Sequence, residues 1–167
     1  PGFIKADGKQ LKNDNGDIVH LRGVNAGGYM LQEIWLCATY GGNIRCQKNI
    51  LDTLNSRFGS EKAKNLISAY EDNYWTTGDF ENCAKLGRLP IWYRNLVDEN
   101  GNWYDNAFDK IDWFVETAGR YGIYVIIDMH GAYGSQNGSH NSGIYGGSTN
   151  QQKKDNSKLF FGTDAST

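Results

Sequence analysis

The stretch NAFDKIDWFVETAGRYGIYVIID, residues 106–128, reads as an amphipathic helix, a glycine stop and a buried strand in unbroken succession. Asn106 offers a side-chain cap, and Phe108, Ile111, Val115 and Ala118 recur at the spacing of one helix face. Gly122 supplies the positive φ that ends a helix. The run IYVIID that follows is apolar on both faces, as in a parallel strand covered on both sides by helices. This rhythm of helix, glycine and strand is that of an α/β protein, either a βα barrel or a doubly wound sheet.

The same pattern can be followed outward from there. Toward the amino terminus, GFIKADGKQLKNDNGDIVHLRGVN is cut by DG and NDNG into short strands, a hairpin signal because glycine accepts positive φ at such turns. IVHLRGVN is the best strand of the set. SEKAKNLISAYEDNY, residues 60–74, places Leu66, Ile67, Tyr70 and Tyr74 on one helical face behind Ser60 as a cap. DFENCAKLG reads as a short helix from Asp79 to Gly87. QQKK, residues 151–154, reads as a solvated turn. No internal repeat or linker interrupts the 167 residues, so a single domain over 1–167 is expected.

Composition narrows the function. The net charge of -2 and the absence of a Lys/Arg stripe give no reason to expect nucleic acid. No run approaches the ~18 apolar residues of a membrane span. Glycine is 21 of 167 with only 2 prolines, which suits many tight turns rather than disorder. Aromatics reach 13%, with 5 Trp and 10 Tyr. Flat rings beside Asn and Gln are what a sugar cleft requires, apolar faces for pyranose rings and amides for hydroxyls. Trp35, Trp92 and Tyr133 are candidates for such faces. Cys37, Cys46 and Cys83 lack metal-ligand spacing; Cys37 and Cys46 are close enough in sequence to pair.

Chemistry concentrates where the strand at 123–128 runs into MHGAYGSQNGSHNSG. In parallel α/β folds the active site lies at the carboxyl ends of the strands. Asp128 and His130 are two apart, so both side chains leave the same face there. The loop adds Tyr133, Gln136, Asn137, His140 and Asn141. A metal held by Asp128, His130 and His140 is a rival reading, without a fourth ligand or a recognisable spacing.

The chain resembles glycoside hydrolase family 5, the cellulases and exo-β-1,3-glucanases. The matching stretches are LRGVNAGGYMLQEIW, YEDNYWTTGDFENCAKLG, RLPIWYRNLVDENGNWYDNAFDKIDWFVETAGRYGIYVIIDMHGAYGSQNG and SHNSG. The resemblance implies a (β/α)8 barrel, retaining hydrolysis of β-linked glucan, no metal or organic cofactor, and action outside the cell. Arg88 matches an arginine that supports the nucleophile carboxylate; a guanidinium keeps such a group ionised. His130 matches a histidine contacting sugar hydroxyls, Glu33 a glutamate that binds the terminal sugar, and Asn141 an amide of the sugar-binding loop. His140 stands where these enzymes carry aspartate. Tyr133 and Asn137 belong to the same loop.

The two catalytic glutamates of the family lie at the ends of the fourth and seventh barrel strands, and no NEP motif occurs here. A complete barrel needs about 250 residues. The expected structure is therefore the N-terminal part of a barrel, a hairpin followed by roughly the first three βα units. AKLGRLP is shorter than the family's helix–strand join, which predicts a second strand that is nearly deleted. The alternative to a hydrolase is a non-catalytic fragment or carbohydrate-binding remnant of one.

Overall fold

The structure, a computed structural model, describes residues 2–37, 41–83 and 86–162. An antiparallel hairpin, β1 (Lys5–Asp7) and β2 (Gln10–Lys12), leads into β3 (Gly23–Asn25). Helices α1 (Gln47–Phe58), α2 (Ser60–Tyr74) and α3 (Thr77–Glu81) precede β4 (Leu86–Trp92). Helix α4 (Asp109–Arg120), β5 (Tyr124–Gly131) and α5 (Asn150–Phe161) complete the order. The strands β3, β4 and β5 form one parallel sheet in that order. Helical connections between neighbouring parallel strands make this an α/β fold, as expected.

The core lies between that sheet and α4. Leu89 and Ile91 of β4 meet Ile111, Phe114 and Ala118 of α4, joined by Ile123, Phe80 and Tyr29. Phe114 is its hub: it stacks on Tyr29 at 6.2 Å and lies edge-on to Phe80 at 4.9 Å. Gly87 of β4 faces the Phe114 ring, where a methyl group would come to 3.5 Å. The buried face of α4 is thus Ile111, Phe114, Thr117 and Ala118. Ile111 and Ala118 are buried as expected, while Phe108 and Val115 are exposed: Phe108 precedes the helix, which starts at Asp109, and Phe114 and Thr117 complete the face.

Several other expectations are corrected. The second strand of the parallel sheet is not deleted: β4 has seven residues and pairs with both neighbours. Residues 86 and 87 extend it on the amino side of RLPIW, so the shortening falls on the join that precedes it. Strand β3 covers only Gly23–Asn25 of the IVHLRGVN run. Strand β5 is not covered on both faces: Ile126, Ile127 and Met129 are exposed. Ser60 is the first residue of α2 and Gly59 occupies its cap.

Helix α3 runs Thr77–Glu81, earlier than expected, because Thr76 caps it. The Asp79 carboxylate accepts from the Thr76 backbone N–H at 2.7 Å and from its hydroxyl at 2.8 Å. Ala84 and Lys85, in the expected Asp79–Gly87 helix, lie outside the described residues. QQKK is the first part of α5, not a turn: Thr149 and Gln152 form a capping box at its start. Cys37 and Cys46 are free and buried in separate places, Cys37 against the Tyr70 hydroxyl at 3.1 Å and Cys46 beside Asn49. No described helix is long and apolar enough to cross a membrane.

Candidate active site

Register places the polar groups. Asn25 pairs with Arg88, Arg88 with Ile126, and Pro90 with Asp128. Partners in register share a face, and alternation adds His130 to Asp128. Asn25, Arg88, Asp128 and His130 therefore project from the sheet face opposite Leu89 and Ile91, which go into the core. The strands splay these groups outward as they approach their carboxyl ends.

Arg88 joins them. One guanidinium nitrogen donates to Asn25 Oδ1 at 3.1 Å, and the other donates to Asp128 Oδ2. Asp128 Oδ2 is also 2.9 Å from His130 Nδ1. Arg88 lies 2.9 Å from the same ring nitrogen. A guanidinium only donates, so the consistent arrangement has Nδ1–H and Arg88 both donating to Asp128. That leaves His130 Nε2 facing Glu33 Oε1 at 3.5 Å. Burial pushes the Glu33 carboxyl above its ordinary range, while His130, His140 and Arg88 pull it back part of the way.

Glu33 arrives from the segment after β3, where Ala26, Tyr29, Met30, Leu31 and Ile34 are buried. The Glu33 side chain retains only 16% of its exposure. Packing of its neighbours turns it toward His130. The segment is fixed by Gln47 at the start of α1: its Oε1 accepts from the Gln32 N–H at 3.1 Å and its Nε2 donates to the Met30 carbonyl at 3.3 Å.

A cleft of about 310 Å3 opens over this group, lined by Asn25, Leu31, Glu33, Trp35, Arg88 and Pro90. Trp35 is half exposed at its rim, and the His140 ring stands edge-on to it at 4.8 Å. Glu33, Arg88 and His130 are thus brought together, with His140 beside them through Trp35. Asn141 sits half-buried in the short turn His140–Ser142. Tyr133 is exposed and touches Tyr93 at 5.5 Å, away from the cleft lining. Asn137 uses its Oδ1 on the loop itself, accepting from the Ser139 N–H and the Ser142 hydroxyl, both at 2.8 Å.

Trp92, a candidate sugar platform from sequence, is buried at 3% exposure. It is clamped between two glycines. A Cβ at Gly131 would fall 2.6 Å from its ring, and one at Gly143, which has φ of +81°, would fall 2.5 Å from Nε1. The indole is a wedge that seats the loop, not a ligand surface. Gln136 holds the same loop, donating to the His130 carbonyl and accepting from the Ala132 N–H. Asn25 and the role of Asp128 were missed by sequence reasoning; the available signal was that Asn25 ends the strand RGVN, at the same level as Arg88.

Chemically the cluster offers fixed donors and acceptors for hydroxyl groups. Among the described residues, no group of three or more His, Cys, Asp or Glu side chains is arranged to hold a metal ion.

Residues 81–163 match the family model for cellulase, glycosyl hydrolase family 5. The chain is a relative of glycosyl hydrolase family 5. It is 35% identical over 133 residues to a probable glucan 1,3-beta-glucosidase A of Neosartorya fischeri, covering 75% of this chain and 32% of that protein. A protein of the same name from Aspergillus niger is 34% identical over 136 residues, with the same coverage, 75% and 32%. A beta-xylosidase of Phanerodontia chrysosporium is 28% identical over 141 residues, 81% of this chain and 29% of that protein. The chain spans about a third of the length of these relatives.

Proposed function

We propose that this family 5 relative is the substrate-side part of a secreted glycoside hydrolase that cleaves β-linked glucan. The observation that carries the reading is the row Asn25–Arg88–Asp128–His130, with Glu33 3.5 Å from His130, beside a cleft lined by Asn25, Glu33, Arg88 and Trp35. Trp35 supplies an apolar face for a sugar ring, and Glu33 and His130 supply hydrogen bonds to its hydroxyls. Arg88 places a fixed positive charge where a nucleophile carboxylate would be kept ionised. Asn141 and His140 border the terminal sugar, while Asn137 and Tyr133 shape the loop around it. The partner is a glucan or oligosaccharide, with no nucleic acid.

Retaining hydrolysis needs two carboxylates about 5–5.5 Å apart and no metal or organic cofactor. The family's two catalytic glutamates stand on the fourth and seventh barrel strands, and this reading places both outside these 167 residues. The domain, residues 1–167, is then part of a (β/α)8 barrel. The second reading is a carbohydrate-binding remnant that holds sugar without cleaving it.

His130→Ala removes the group that links Asp128 to Glu33 and is expected to weaken oligosaccharide affinity about tenfold. Equal affinity of the variant and the parent, measured by calorimetry, would take His130 out of the site. His140→Asp tests the loop. The raised Glu33 pKa means that binding which uses its carboxylate is present at high pH and lost as pH falls through that raised value. His140 now pulls this value down, and an aspartate would push it up, so the loss should move to higher pH in the variant. An unshifted pH profile of binding would show that His140 does not act on Glu33.

A further inference from the structure

The loop from β4 to α4, residues 93–108, carries the most exposed tryptophan found among the exposed large hydrophobic residues. Trp103 is 61% exposed and Phe108 is 50% exposed, and their rings stack at 5.6 Å with an interplanar angle of 21°. Mutual stacking covers one face of each ring and leaves the other faces in water. Aromatic rings of this size are ordinarily buried or used as contacts.

The loop that presents them is built, not slack. The Asp98 carboxylate accepts from the Asn100 N–H at 2.8 Å, the Asn102 N–H at 2.9 Å and the Asn102 amide at 3.0 Å. These bonds hold its pKa below the ordinary carboxylate value. Val97 pairs with Trp103 in an antiparallel bridge, and Tyr104 N–H donates to the Leu96 carbonyl at 3.0 Å. Leu96 and Ala107 anchor the two ends in the core. A rigid frame of this kind spares a ligand the entropy of ordering the rings.

Place and charge name the ligand class. The loop leaves the carboxyl end of β4, the end from which the 131–143 loop leaves β5, and Tyr93 touches Tyr133 between them. The loop, residues 93–108, carries three carboxylates, on Asp98, Glu99 and Asp105, against one cation, Arg94. Its net negative charge disfavours anionic partners and leaves a neutral ligand with an apolar face. The amide side chains of Asn100 and Asn106 stand in the same segment for hydroxyl groups, while that of Asn102 is taken by Asp98.

We infer that the stacked Trp103–Phe108 pair is an accessory sugar-stacking site, separate from the Glu33–Arg88–His130 cleft, that holds a polymeric β-glucan against the active face. This rests on the glucan reading proposed above. The pair takes the C–H face of a pyranose ring, and the polymer is long enough to reach both places.

The test compares retention of the 167-residue chain on insoluble β-1,3-glucan and on cellulose with its affinity for a soluble β-linked trisaccharide. Trp103→Ala should lose about tenfold in retention on one of the polymers. Its trisaccharide affinity should stay unchanged, and Trp103→Phe should keep most of the retention. Trp103 is exposed and outside the core, and circular dichroism checks that the variants fold. Equal retention by Trp103→Ala, or no retention of the parent chain on either polymer, overturns the inference. So does a change in sedimentation from dimer to monomer in Trp103→Ala, which would make the pair a contact between copies. Failure of the glucan reading shows separately, as trisaccharide affinity that Arg88→Ala does not alter.

Discussion

Arg88→Ala should cost the protein both affinity for sugar and stability. Its guanidinium bonds Asn25 on β3 and Asp128 on β5, so one side chain ties all three parallel strands on the cleft face. Without it the half-buried Asp128 carboxylate keeps only His130. Leaving such an acceptor underpaired costs about 1–3 kcal/mol, which a denaturant midpoint resolves. Affinity for a β-linked oligosaccharide should fall about 10–100-fold, since the guanidinium that lines the cleft beside Glu33 is lost. Arg88→Lys should not restore binding, because a single ammonium cannot serve Asn25 and Asp128 from two nitrogens at once. Full rescue by lysine would mean that Arg88 acts only as a charge.

Phe114→Ala should have the largest effect on stability. The ring is fully buried and touches Tyr29, Trp75, Phe80 and Trp113. Truncating a phenylalanine in such a site costs about 3–5 kcal/mol through lost transfer energy and the cavity left behind. Against a total of about 5–15 kcal/mol for an ordinary domain, that is a large share. The control is Phe108→Ala, immediately before the same helix, whose ring is half exposed. It should cost well under half as much. Similar losses for the two would mean that the Tyr29–Phe80–Phe114 cluster is not the centre of the core.

The contrast between those two phenylalanines also shows what could be read in advance. Helix α4 and strand β5 were legible because a 3.6-residue stripe, a glycine stop and an apolar run coincide within residues 106–128. Ile111 and Ala118 of its buried face were read correctly, but Phe108 was placed inside the helix because Asn106 looked like the cap, and the helix begins only at Asp109. Helix α1 gave little signal: its cap, Cys46, makes no side-chain bond, and only Gln47 and Ile50 are buried. Helix α5 was hidden by its polar composition, although Thr149 and Gln152 spell a capping box. The exposure of β5 was not legible, since an apolar run does not reveal what packs against it.

The site was legible in parts. The two-residue spacing of Asp128 and His130 put them on one face, as found. Glu33 is different: its burial comes from neighbouring residues packing beneath it, and only the family resemblance pointed to it. Trp92 was misread because a tryptophan at a strand end fits both a sugar platform and a packing wedge. Gly131 and Gly143, which decide the matter, are far from it in sequence.

The most direct test is to titrate the chain with a short β-linked gluco-oligosaccharide in a calorimeter and assay reducing ends in the same samples. Saturable binding by the parent chain, at least tenfold weaker in Arg88→Ala, without release of new reducing ends, is the expected result. Absence of binding, or binding that Arg88→Ala leaves untouched, would contradict a sugar site built on Arg88, Asp128, His130 and Glu33. Release of reducing ends by the chain itself would contradict the placement of both catalytic glutamates outside it.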